Sequence, residues 1–265
     1  MICIFCKQDS HNSASIEHII PESLGNTRHV LPQGVVCDKC NNYFAREVEK
    51  PLLISQYFTH ARFRNALPSK KGRIPALEIV YCSGSIELGM YRTTEGQQGL
   101  YPIDDKNAKR LLDYLQKHNR GEIYIPIPVK PDPYIVARFL AKVALEILTF
   151  GVMHYPGWES EVVFRKELDE VREFSRYGSR TKLWPYYERR IYPEHKKRTD
   201  PDRNAYETLH EFDLLYTRDQ ELFAVICVLG VEYTINLGGP EIEGYLKWLE
   251  ENDYESPLYT GKNTQ

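Results

Sequence analysis

Apolar and polar positions change period several times along this chain of 265 residues, and the changes mark its elements. Helical spacing is clearest after Asp132, an N-cap residue followed by Pro133 at the first turn. From there Ile135, Val136, Phe139, Leu140, Val143, Ala144, Ile147 and Leu148 recur at helical intervals until Gly151. One face of that helix is predicted to be buried. Arg138, Lys142 and Glu146, four apart on another face, are expected to form a solvated charge ladder. Further helices are predicted over 104–119, with Leu111, Leu112 and Leu115 on one face, and after the Gly238-Gly239-Pro240 break, with Ile242, Tyr245, Leu246 and Leu249 inward.

Strand patterns fill much of the remainder. Residues 76–93 read as a hairpin around Ser83-Gly84-Ser85, and residues 122–129 as a strand. Segments 209–217 and 222–229 are predicted to pair around Arg218 to Glu221, and 231–237 alternates apolar with polar. The N-terminal fifth predicts a short strand over 15–20, a Pro- and Gly-punctuated loop over 21–32, and a second strand over 33–37. A helix follows from Asp38, which Pro51 is expected to end. The mixture predicts an α+β protein.

Chemistry enters with the cysteines. Cys3 and Cys6 form one Cys-x-x-Cys knuckle, and Cys37 and Cys40 a second. A two-residue spacer lets both thiolates of a knuckle face one ion, so the four most simply make a structural Zn²⁺ site. An ordinary zinc ribbon separates its pairs by about 15 to 20 residues. Here the gap is longer, and Glu17-His18-Ile19-Ile20-Pro21 lies inside it.

Taken with Leu24-Gly25-Asn26 and Cys37-Asp38-Lys39-Cys40-Asn41, these pieces resemble the zinc-bracketed HNH endonucleases of the ββα-metal fold, over about the first fifth of the chain. The resemblance implies His18 as general base, Glu17 as ligand of a catalytic divalent cation, and Asn41 completing that metal site. Two departures stand out. The acid is Glu17 where many members have Asp, and the middle Asn of the motif has no match near Pro32 and Gln33, which makes Asn26 the candidate brace of the loop.

The side chains suit the chemistry. A neutral imidazole can take a proton from water near neutral pH, and carboxylate and carboxamide oxygens are hard ligands suited to Mg²⁺ or Mn²⁺. The expected reaction is hydrolysis of phosphodiester bonds. DNA is favoured over RNA, and a bacterial or phage restriction or defence setting is expected, both by analogy with the family. The alternative reading is a non-catalytic zinc module that binds nucleic acid or protein.

Net charge is only −3, so the total does not advertise a nucleic-acid partner. The distribution is more telling. Residues 172–198 hold nine Lys and Arg against three Glu, interleaved with Phe174, Tyr177, Trp184, Tyr186, Tyr187 and Tyr192. Cations neutralise phosphates and rings stack on unpaired bases, which makes Arg189, Arg190, Lys196 and Lys197 candidate nucleic-acid contacts. The competing reading puts the rings in the core and leaves the basic residues as a strand's wet face. Cys82 and Cys227 read as buried thiols, no apolar run reaches membrane-spanning length, and a reducing cytoplasm is expected. A homodimer would permit double-strand cutting, although no dimer signal is visible. The predicted organisation is an HNH module over 1–51, a connector over 52–75, a mixed α+β domain over 76–257 and a loose tail over 258–265.

Overall fold

A computed structural model describes residues 1–82, 85–178, 183–193 and 210–258. In chain order the elements begin with β1 (Glu17–His18), β2 (Val30–Leu31), α1 (Asp38–Phe44), α2 (Lys50–Leu53) and α3 (Gln56–Arg64). β3 (Leu77–Tyr81), β4 (Ile86–Arg92), β5 (Gln98–Pro102), α4 (Asp105–Leu115) and β6 (Ile123–Tyr124) follow. Then come α5 (Pro133–Val152), α6 (Trp158–Val162), α7 (Asp169–Tyr177), β7 (Tyr186–Arg190), β8 (His210–Tyr216), β9 (Leu222–Val228), β10 (Val231–Asn236) and α8 (Glu243–Glu251). The chain is α+β and divides into two compact units. One comprises Met1–Pro21, Asn26–Leu52 and Asp132–Gln265; the other comprises Glu22–Gly25 and Leu53–Pro131.

The N-terminal segment differs locally from its sequence pattern in two places. The second strand is Val30–Leu31 rather than 33–37, with Glu17 opposite Leu31 and His18 opposite Val30. Gln33 and Val36 form only an isolated bridge. Pro51 does not end the helix that starts at Asp38. A π-helical stretch, Ala45–Glu49, joins α1 to α2, and Lys50 N–H bonds Ala45 O, five residues back. The wider turn accommodates a residue that has no N–H to give and whose ring would press on the carbonyl four residues earlier.

In the first unit α5 is the central element. It packs against α6, α7, the π-helical stretch and strands β8, β9 and β10. Nearly every side chain from Val136 to Ile147 is buried, including Arg138, Lys142 and Glu146. The expected charge ladder is therefore not solvated. A helix flanked by partners on all sides has no wet face, and its three charged residues find buried partners instead.

The sheet beyond α5 runs in the order β7-β10-β9-β8, all antiparallel. Phe223, Val225 and Cys227 alternate along β9 toward a cluster with Tyr192, Tyr245, Leu249 and Leu258, which α8 helps to close. With α5 contacting the same strands, every residue of β10 is buried. Leu246 on α8 is 38 % exposed, so only part of its predicted face is inward. Glu232 on β10 is fully buried; it accepts hydrogen bonds from Arg189 Nε (2.8 Å), Tyr245 Oη (2.9 Å) and Ser256 Oγ.

The second unit holds a separate antiparallel sheet, order β5-β4-β3-β6. Phe63, Leu77, Ile79, Ile86 and Leu88 form its core, and Leu111 and Tyr114 of α4 pack on it. Leu112 and Leu115 are exposed, contrary to the predicted face. The predicted strand over 122–129 shrinks to two residues, and the predicted connector contains α3. Gly89 and Gly99 sit opposite Tyr101 and Tyr91, whose rings cover the positions their Cβ atoms would take. Cys227 is buried, whereas Cys82 is only half-buried; both are free thiols. Among the described residues no helix is long and apolar enough to cross a membrane.

Removing the Glu232 carboxylate strands a partly buried guanidinium and two hydroxyl groups. Glu232→Ala is expected to lower the stability of the first unit by about 3 kcal/mol, read from the shift of the urea midpoint followed by tryptophan fluorescence.

Candidate functional site

Helix α1 begins at the second knuckle. Cys37 is its N-cap, with extended backbone and a sulfur that accepts from Cys40 N–H. Asp38, in the first turn, suits the positive helix end. Its carboxylate also accepts from the backbone N–H of Ala14 (3.1 Å) and Ser15 (2.8 Å) and from Ser15 Oγ (2.5 Å). That clamp sets the approach of the chain to β1.

The four knuckle sulfurs all lie within 4.8 Å of one another, with Cys6 and Cys37 sulfurs 3.6 Å apart. A tetrahedral site with Zn–S bonds near 2.3 Å separates its sulfurs by about 3.8 Å. The cluster therefore fits a structural zinc ion. The sulfurs also polarise one another: a hydrogen bond from Cys40 pushes Cys3 down to about 4, and the same bond pushes Cys40 up. Burial raises Cys6. Four crowded sulfurs cannot all ionise unless a cation joins them.

Between the knuckles, Asn26 is buried and makes four bonds. Its Nδ2 donates to Ile20 O (2.8 Å) and His29 O (2.9 Å), and its Oδ1 accepts from Arg28 N–H (3.1 Å) and His29 N–H (3.0 Å). The bracing expected of Asn26 is thus visible in its contacts. The His29 ring packs edge-on against Phe212, 4.8 Å between centroids.

Glu17 and His18 are adjacent on β1 and project to opposite faces. His18 is half-buried, and its Nδ1 is buried without a hydrogen-bond partner among the described residues. Asn41, one turn into α1, donates from Nδ2 to Ile16 O at 3.4 Å, which brings the helix to the residue before β1. Glu17 and His18 thus lie on β1, and Asn41 lies on the first turn of α1, bonded to the residue that precedes the strand.

Glu17 turns inward and is 5 % exposed. Its Oε1 lies 2.6 Å from Lys142 Nζ, which also meets Glu49 Oε1 at 2.8 Å and Glu146 Oε2 at 3.1 Å. Burial alone would lower Lys142, but the carboxylates of Glu146, Glu17 and Glu49 outweigh it and hold the ammonium well above its ordinary range. Burial pushes Glu146 and Glu17 upward against the pull of Lys142. Sequence reasoning missed this cluster. The available signal was three charges at four-residue spacing in a helix apolar on its other faces.

Two more buried cations grip the N-terminal segment. Arg172 Nε of α7 donates to Ile4 O, inside the first knuckle, at 2.6 Å, and its Nη2 donates to Val162 O. Arg138 of α5 donates to Tyr43 Oη at 3.1 Å, and Tyr43 Oη donates in turn to Arg176 O.

In the described part of the basic, aromatic stretch, several rings are inside the fold. Phe174, Trp184 and Tyr192 are buried, and Trp184 Nε1 donates to Asn236 O. Tyr177 remains exposed. Arg189 is committed to Glu232 and to Tyr254 O (2.6 Å), and Arg190 Nη1 donates to Tyr192 O and Leu229 O. Lys196 and Lys197 lie outside the described residues.

Comparison with curated proteins gives no match, and comparison with solved structures gives none either. A family model described as HNH endonuclease matches residues 3–56, the span that holds both knuckles, β1, β2, α1 and α2. The N-terminal segment of this chain is therefore an HNH domain, bracketed by a cysteine cluster that could hold zinc and followed by a larger mixed α+β region.

Proposed function

We propose that the protein is a metal-dependent endonuclease that hydrolyses phosphodiester bonds of DNA. The observation that carries this reading is the match of the HNH family model to the span in which Glu17 and His18 form β1 and Asn41, on α1, bonds the residue before that strand. The donor set fits a hard divalent cation, Mg²⁺ or Mn²⁺, held by Glu17 and the Asn41 carboxamide oxygen. Such a cation supplies charge neutralisation at the phosphoryl group and at the departing oxygen.

The chain's own part is proton transfer and placement. Burial of Nδ1 leaves Nε2 of His18 to receive the proton of an attacking water. Attack in line with the bond to the 3′-oxygen gives a 5′-phosphate and a 3′-hydroxyl. Asp38 and Asn26 hold the entry strand and the loop, so the imidazole does not have to be ordered when substrate arrives. The proposed structural zinc closes the two ends of this segment on each other. Free cysteines throughout the described residues suit a reducing compartment such as the cytoplasm. A restriction or defence setting belongs to the same reading and rests on the family likeness alone.

A second reading, a zinc module without catalysis that binds nucleic acid or protein, draws on one observation: the carboxylate of Glu17 already bonds an ammonium. One assay separates the two. With plasmid and Mg²⁺ or Mn²⁺, His18→Ala is expected to slow cutting by about 10²- to 10⁴-fold without changing the circular dichroism spectrum. Equal cutting by both proteins, or none by either on several DNA and RNA forms, favours the silent module. Elemental analysis of the purified chain is expected to find one zinc; Cys37→Ser should lose it together with the folded N-terminal segment, and full zinc retention would remove the structural-zinc assignment.

A further inference from the structure

Three N–H bonds are all that an ammonium has, and Lys142 meets an acceptor with each of them: Glu17, Glu49 and Glu146, from β1, the π-helical stretch and α5 itself. The side chain is fully buried on a helix that is buried over most of its length, so its head cannot swing. Glu17 is in the opposite situation. Its side chain has one methylene more than an Asp would have, hence one more torsion to hold, and β1 is only two residues long. Something other than the strand must aim its carboxylate.

Resting on the reading of Glu17 as a ligand of the catalytic cation, we propose that Lys142 is a positioning residue for that carboxylate. It holds Oε1 from the protein side and leaves Oε2 to meet the cation. The competence of the HNH segment then depends on a side chain 125 positions away in sequence, outside the span that the family model matches. The larger region is, on this view, part of the nuclease centre as well as a candidate reader of substrate.

Positioning and plain electrostatics predict opposite signs. Removing a positive charge beside a cation site should tighten cation binding if charge alone matters. If Lys142 aims Glu17, its removal should weaken binding. Supports one layer behind metal ligands typically change affinity by about 10- to 100-fold.

The test uses the full chain and Mn²⁺ alone, with bound metal counted from the electron paramagnetic resonance signal of the free ion. Lys142→Met/Glu146→Gln is compared with Glu146→Gln, so that the variant does not leave Glu146 ionised without its cation. Lys142→Arg is compared with the unaltered chain, and thermal midpoints are recorded for all. We expect a Mn²⁺ dissociation constant raised about tenfold or more in the first pair and by a smaller factor in Lys142→Arg. Because Lys142→Arg keeps the charge, it decides the matter if the double variant does not fold. A dissociation constant unchanged or lowered in a folded Lys142 variant overturns the proposal. Glu17→Gln separates the two levels: if it binds Mn²⁺ as the unaltered chain does, the reading of Glu17 as a ligand fails. If it loses Mn²⁺ while the Lys142 variants keep it, only the role of Lys142 fails.

Discussion

A single ammonium group, buried and shared among three carboxylates, is the constraint around which the first unit is arranged. Placing charged groups away from water costs roughly several kcal/mol per ion, and their mutual attraction offsets this only when the geometry is good and few donors are left over. Lys142 meets that condition with three short contacts. The acids come from β1, the π-helical stretch and α5, so satisfying the ammonium requires the N-terminal segment to close on α5. Glu146 still has one carboxylate oxygen without a partner among the described residues, in keeping with the upward shift that burial imposes on it.

The same closure recurs on the neighbouring faces. Arg172 reaches a carbonyl inside the first cysteine knuckle, and Arg138 reaches Tyr43 on α1. Both are cations drawn from helices of the larger region and aimed at polar atoms of the HNH domain. Each leaves a costly unpaired group if the two parts separate, which makes the arrangement specific as well as cohesive. A domain of some fifty residues buries little surface by itself. Here a candidate zinc cluster and buried cations from α5 and α7, one of them bonded inside the first knuckle, supply what a small core lacks.

The basic stretch that begins in α7 shows what composition leaves open when burial is unknown. Positive charge interleaved with rings has the ingredients of a nucleic-acid surface, yet Trp184 and Tyr192 lie in the core and Arg189 spends its donors on Glu232 and a carbonyl. The strand β7 lies at a sheet edge against β10, where Arg189 stands opposite Glu232. Exposed Tyr177, with the Arg176 guanidinium 4.8 Å from its ring centroid, keeps an aromatic and a cation together near the surface.

What was legible in the sequence was local. The paired cysteine spacing, the Glu-His dyad, the N-cap of α5 and the hairpins depend on neighbours within a few residues, and each left a pattern that could be read. The bracing by Asn26 was legible too, since an Asn side chain bonds backbone a few residues away. Tertiary structure alone decided which charges are buried. Four-residue spacing places Arg138, Lys142 and Glu146 on one face but does not say whether that face meets water or Glu17, 125 positions earlier in the chain. Pro51 followed the same logic, because a helix continues past a proline when a widened turn removes the clash. That widening lies in the stretch which packs against α5.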